Sequence, residues 1–87
     1  MAHYFKVDPD WEKVLKEWDY CLSLAKTPAQ KSIVYLNIGR INSYLNRKEK
    51  ARLAFEKANE LFPSASARYL LEKLKIEDGE NKGASTR

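Results

Sequence analysis

From Trp11 onward the apolar residues keep a helical period. Trp11, Val14, Leu15, Trp18, Cys21, Leu22 and Ala25 recur three and four apart, which sets them on one face of a helix. Asp8-Pro9-Asp10 stands before that stripe, an acid cap followed by a proline at the first helical position, where the missing N–H is not needed. Glu12–Lys16 and Lys13–Glu17 place opposite charges four apart on the far side. The spacing predicts a first helix over 9–26.

Thr27-Pro28-Ala29-Gln30 reads as a capping box with a proline just inside a second helix, over 28–45. Its apolar residues Ile33, Val34, Leu36, Ile38, Ile41, Tyr44 and Leu45 spread over more than one face, the pattern of a central helix with neighbours on several sides. Asn46-Arg47-Lys48 is a tight polar turn. A third helix over 48–62 carries Ala51, Ala54, Phe55, Ala58, Leu61 and Phe62 on one stripe. Pro63 ends it, since a proline cannot donate to the ladder.

Ser64 or Ser66 can cap a fourth helix over 65–77, with Ala67, Leu70, Leu71 and Leu74 as its stripe. Glu72–Lys75 and Lys73–Glu77 pair on its exposed side. From Asp78 only Ala84 is apolar, so 78–87 reads as a disordered tail and 1–8 as an N-terminal extension. The short connections predict an all-α domain of four antiparallel helices.

Composition narrows the function classes. Eighty-seven residues make one small domain, whose core must be efficient or completed by a partner. Cys21 and His3 are each alone, which leaves no disulfide framework and no zinc, Cys-His or Ser-His-Asp constellation. Three glycines are too few for a phosphate-cradling loop, and the carboxylates are scattered among basic residues. We therefore expect no enzymatic activity, no metal and no cofactor. The longest apolar run, Ile33 to Leu36, is far too short to span a membrane, and the first residues lack a signal-peptide core. The expected location is cytoplasmic. Cys21, on the first stripe with Trp11 and Trp18, reads as an inert core thiol.

The second and third helices carry a family pattern. Tyr35-x2-Ile38-Gly39, then Ala51-x3-Phe55-x2-Ala58-x4-Pro63, resembles the tetratricopeptide repeat over about residues 32–65. The resemblance implies that Gly39 marks a close helix crossing faced by Ala51. It also implies that Phe55 and Ala58 fill the space towards a following unit. Ser66-Ala67-Arg68-Tyr69 restarts the pattern in phase, with Tyr69 at the aromatic position. Asn42 departs from it, standing where the family has an aromatic whose place Tyr44 could take. Lys73 departs too, standing at the crossing-glycine position of the fourth helix. The chain thus looks like one complete repeat flanked by two helices that cap it, an α-solenoid fragment.

What the resemblance implies is protein–protein recognition, in a groove lined here by Ile33, Leu36, Asn37, Arg40, Ser43 and Tyr44. An amide can hold backbone, a guanidinium a carboxylate, and an aromatic can stack. The alternative is that Ile33, Leu36 and Tyr44 only pack against a neighbouring helix. Arg47, Lys48, Lys50 and Arg52 form a secondary basic patch. Glu49 interrupts it, and cations at a helix N-terminus oppose the dipole, so a solvated turn or a contact for an acidic protein surface precedes a nucleic-acid reading. The expected function is an adaptor or assembly subunit that binds a peptide or helix of another protein. The alternatives are a self-associating homodimer and a small basic nucleic-acid-associated protein.

Overall fold

The protein is described by a computed structural model that covers the backbone of 9–86 and the side chains of 9–77. The extension read at 1–8 lies outside the described residues, as do the side chains of the tail. Among the described residues there are four helices and no strand: α1 (Trp11–Leu24), α2 (Pro28–Tyr44), α3 (Lys48–Leu61) and α4 (Ala65–Thr86).

Each boundary has a local cause. The Asp10 carboxylate accepts the Lys13 N–H at 3.3 Å, so Asp10 rather than Asp8 caps α1 and Pro9 stays outside the helix. Thr27 and Gln30 close the capping box of α2 reciprocally, Gln30 N–H to Thr27 Oγ1 at 3.1 Å and Thr27 N–H to Gln30 Oε1 at 3.2 Å. At its other end Asn46 takes a left-handed φ of 63°. The Arg47 N–H then reaches Asn42 O at 2.8 Å and the Asn46 N–H reaches Ser43 O at 3.0 Å, the paired bonds of a Schellman motif.

Phe62 is extended ahead of Pro63, which stops α3. Of the two serines offered for α4, Ser64 is the cap, its hydroxyl accepting the Ala67 N–H at 3.1 Å. The helical backbone of α4 continues to Thr86, past the point at which composition predicts a tail. Gly79 and Gly83 cost a helix about 1 kcal/mol each, and no proline follows Pro63 to block it.

The core is made by α2, α3 and one face of α4. Ala51, Phe55 and Leu74 are buried together, with Leu36, Leu70 and Leu71 packed against them. Gly39 is buried against the Phe55 ring, where a β-carbon would stand 2.6 Å from Cδ1. Phe55, not Ala51, is thus the residue that Gly39 admits. Ser32 is buried on the same face and donates its hydroxyl proton to Ala58 O at 3.0 Å. The pairings Ser32–Ala58 and Gly39–Phe55 run α3 antiparallel to α2.

The first helix departs from expectation. None of its residues is buried: Trp11 and Trp18 are half-buried and Cys21 is exposed, not a core thiol. A helix that docks mainly on one neighbour covers a narrow strip, and Cys21 falls at its margin. Two contacts fix the start of α1 to the end of α2, which makes the pair antiparallel. The Trp11 and Tyr44 rings lie 5.4 Å apart at 53°, and Glu12 pairs with Arg47 at 2.5 Å in place of Lys16. Because Tyr44 turns to Trp11, it does not fill the place of an aromatic at 42. Asn42 is buried there, its Nδ2 donating to Ile38 O at 3.0 Å and its Oδ1 without a partner.

Candidate functional site

The residues read as groove-lining fall on the stretch of α2 left between its neighbours, and they do not share one environment. Ile33, Arg40 and Tyr44 are exposed, with Ile33 at 58% and Tyr44 at 67%. Asn37 lies on the same stripe, half-buried, and one of its amide protons goes to Ile33 O at 2.9 Å. Its side-chain oxygen is left to accept a bond from elsewhere. Leu36 turns inward against Phe55 and the leucines of α4, so its packing is structural. Ser43 is half-buried at the edge of a cleft.

That cleft, of about 340 Å³, lies between α2 and α4. Phe55, Leu70 and Leu74 line it with apolar surface, and Arg40, Ser43, Tyr44, Lys73 and Glu77 supply its polar groups. Arg40 and Lys73 form no ion pair among the described residues, so two cations border an apolar floor beside an exposed aromatic ring. Such a site suits a segment that combines an apolar side chain with a carboxylate.

The contribution of α4 was not read from the sequence. Lys73 was legible only as a departure from a crossing glycine, and Leu70 and Leu74 only as a core stripe. The one signal available was that Lys73 and Glu77 lie four apart on the flank of that stripe.

The basic patch is largely self-neutralised. Arg47 is bound by Glu12, and Arg52 is bridged to Glu49 and, at 2.9 Å, to Glu56. The hydrogen bond that Arg52 donates to Glu49 is the main cause that raises the Arg52 pKa above its ordinary value, followed by the one it donates to Glu56. Lys48 and Lys50 remain, Lys48 half-buried. A cleft of about 290 Å³ beside them mixes Lys48, Arg52 and Lys75 with Glu49 and Glu56 over Leu71 and Leu74. Alternating signs of this kind set up no extended positive field.

Among the described residues no three His, Cys, Asp or Glu side chains gather as metal ligands, and no helix is long and apolar enough to cross a membrane. No family model matches the chain, and no curated protein or solved structure matches it either.

Proposed function

We propose that the chain is a protein-binding adaptor or assembly subunit. In this reading α2 and α3 form a single tetratricopeptide-like unit, α1 and α4 flank it, and the open stripe of α2 holds a peptide or helix of a partner. The observation that carries the proposal is that Ile33, Arg40 and Tyr44 stand exposed on one stripe of α2 next to an apolar-floored cleft. Large apolar side chains that a small domain leaves in water on one stripe mark a contact surface more often than isolated ones do. The favoured segment carries a bulky apolar residue for the Leu70–Leu74 floor and an acidic residue for Arg40. The charge pairing around Arg47 and Arg52 supports a protein partner over a nucleic acid, because few free cations remain there to displace counterions.

The test is selection from a displayed random-peptide library, followed by fluorescence anisotropy on the peptides recovered. Arg40→Glu and Tyr44→Ala each weaken binding by roughly 30-fold or more, the scale of a central contact residue. Arg40→Glu leaves the melting temperature within a few degrees of the parent, since its side chain is exposed, whereas Tyr44→Ala also removes the ring contact with Trp11 and costs about 1 kcal/mol of stability. Binding unaffected by both substitutions would show that the groove is not the site. A collapse of the melting temperature on Arg40→Glu would make Arg40 a structural residue instead.

A further inference from the structure

A second groove, of about 480 Å³, opens between α1 and α3 and shares no lining residue with the cleft beside α4. Ile38 and Asn42 of α2 lie in its floor, Asp19 stands on the α1 wall, and Lys50, Ala54 and Lys57 on the α3 wall. Two features of this groove ask for an occupant. The first is Asn42, which is only 5% exposed. Its amide donates to Ile38 O, and its Oδ1 has no partner. A buried oxygen without a donor is costly, and an apolar side chain at this point of the floor would avoid the cost. The second feature is the opposite charge of the two walls. At one end of the groove the walls meet, Glu12 binding Arg47. Two turns further along α1 they do not: Asp19 and Lys50 form no ion pair among the described residues, and Lys57 has only an exposed contact with Glu60 at 3.6 Å. Lys50, Ala54 and Lys57 follow one another four and three apart, so both lysines stand on one stripe with a small residue between them.

An extended peptide answers both features. Its successive side chains point to opposite sides, and its main-chain N–H and C=O groups are directed between them. Laid lengthwise in the groove, such a segment sends one side chain to Lys50 and Lys57 and the next to Asp19. It turns a main-chain N–H to the floor, where Asn42 Oδ1 accepts it. We infer that the groove between α1 and α3 binds an extended segment of a partner protein that carries an acidic and a basic residue side by side. The flexible stems of Lys50 and Lys57 let both ammonium groups lean over Ala54 to the acid. Ile38 and Leu53, the latter 53% exposed, give apolar support to the residues on either side of the pair. A nucleic acid fits less well, because it brings no cation for Asp19 and its phosphates are repelled there. The open stripe of α2 takes no part in this site, so a chain that uses both surfaces holds two segments at once.

The test is a nuclear magnetic resonance titration of the isotopically labelled full chain with a blocked hexapeptide, acetyl-Thr-Val-Glu-Arg-Val-Thr-amide. Saturable shifts are expected at the Asn42 side chain and at the amides of Asp19, Ile38 and Ala54, with a dissociation constant of about 0.1–1 mM for so short a probe. Lys50→Glu combined with Lys57→Glu weakens binding about tenfold, and Asn42→Leu by roughly three- to tenfold. Asp19→Lys makes both walls positive. That variant prefers the peptide with Glu-Glu at its centre, whereas the parent prefers Glu-Arg. Asp19, Lys50 and Lys57 are exposed, so circular dichroism of their variants matches that of the parent. A titration without saturable shifts up to about 5 mM peptide overturns the inference. So do shifts confined to the stripe from Ile33 to Tyr44, or an Asp19→Lys chain that keeps the parent's preference. An oligothymidylate that binds the groove more tightly than the peptide overturns it in favour of nucleic acid. Groove shifts that follow protein concentration without peptide overturn it in favour of a second copy.

Discussion

Gly39 offers the sharpest test of how the hairpin is held together. Replacing a helical glycine by alanine ordinarily stabilises by about 1 kcal/mol, because the glycine loses more backbone freedom on folding. At this position the new β-carbon would stand 2.6 Å from Phe55 Cδ1 and 3.0 Å from Cζ, well inside the 3.5–4.0 Å at which carbon atoms attract. The ring cannot swing away, since Phe55 is 2% exposed and enclosed by Ala51 at 0% and Leu74 at 6%. Overpacking of this kind costs about 1–3 kcal/mol. Gly39→Ala is therefore expected to destabilise by up to about 2 kcal/mol net, a fall in melting temperature of roughly 4–8 °C per kcal/mol.

The cause is isolated by a second substitution. Phe55→Leu alone destabilises by leaving unfilled space, but it also withdraws the atoms that the β-carbon meets. In the Phe55→Leu background Gly39→Ala should be neutral or stabilise by up to about 1 kcal/mol, giving a favourable coupling of about 1–3 kcal/mol. Urea unfolding of the four chains, followed by helical circular dichroism, measures the cycle. A Gly39→Ala chain more stable than the parent would refute the packing argument, and so would two substitutions whose effects simply add.

Three further outcomes follow from the fold. Asn42→Leu should stabilise by about 1–2 kcal/mol in thermal melts, because it removes a buried carbonyl oxygen with no partner and keeps the branch at Cγ; a loss of stability would show that Oδ1 is satisfied in solution or that the two methyl groups overpack the site. Thr27→Ala should cost about 1 kcal/mol in the same assay by opening the capping box of α2, whereas Thr27→Ser should cost little. Because α1 buries no residue fully, Trp11 and Trp18 fluorescence should change at a lower urea concentration than the helical signal of the whole chain. Coincident transitions would mean that α1 unfolds with the core.

Much of this architecture was legible because its causes are local. Thr27-Pro28-Ala29-Gln30, Asn46 and Pro63 act through bonds and dihedrals within a few residues, and each sets a helix end where the sequence places it. The stripe Ala51, Ala54, Phe55 and Ala58 likewise fixes which face of α3 is buried, since a helical period admits one apolar side. Neither kind of signal says how many neighbours a helix has. The stripe of α1 reads like a core stripe, yet its tryptophans are half-covered and Cys21 is in water, because among the described residues α1 docks mainly on α2 alone.

The candidate site divides in the same way. That Ile33, Asn37, Arg40 and Tyr44 share a stripe follows from their spacing alone. That Leu36 joins the core, that Tyr44 meets Trp11, and that Phe55, Leu70, Lys73 and Leu74 complete the cleft were decided by how α1, α3 and α4 settle around α2. Periodicity assigns residues to faces of a helix. Only the packing of one helix on another determines which faces meet, which charges pair, and which side chains are left for a partner.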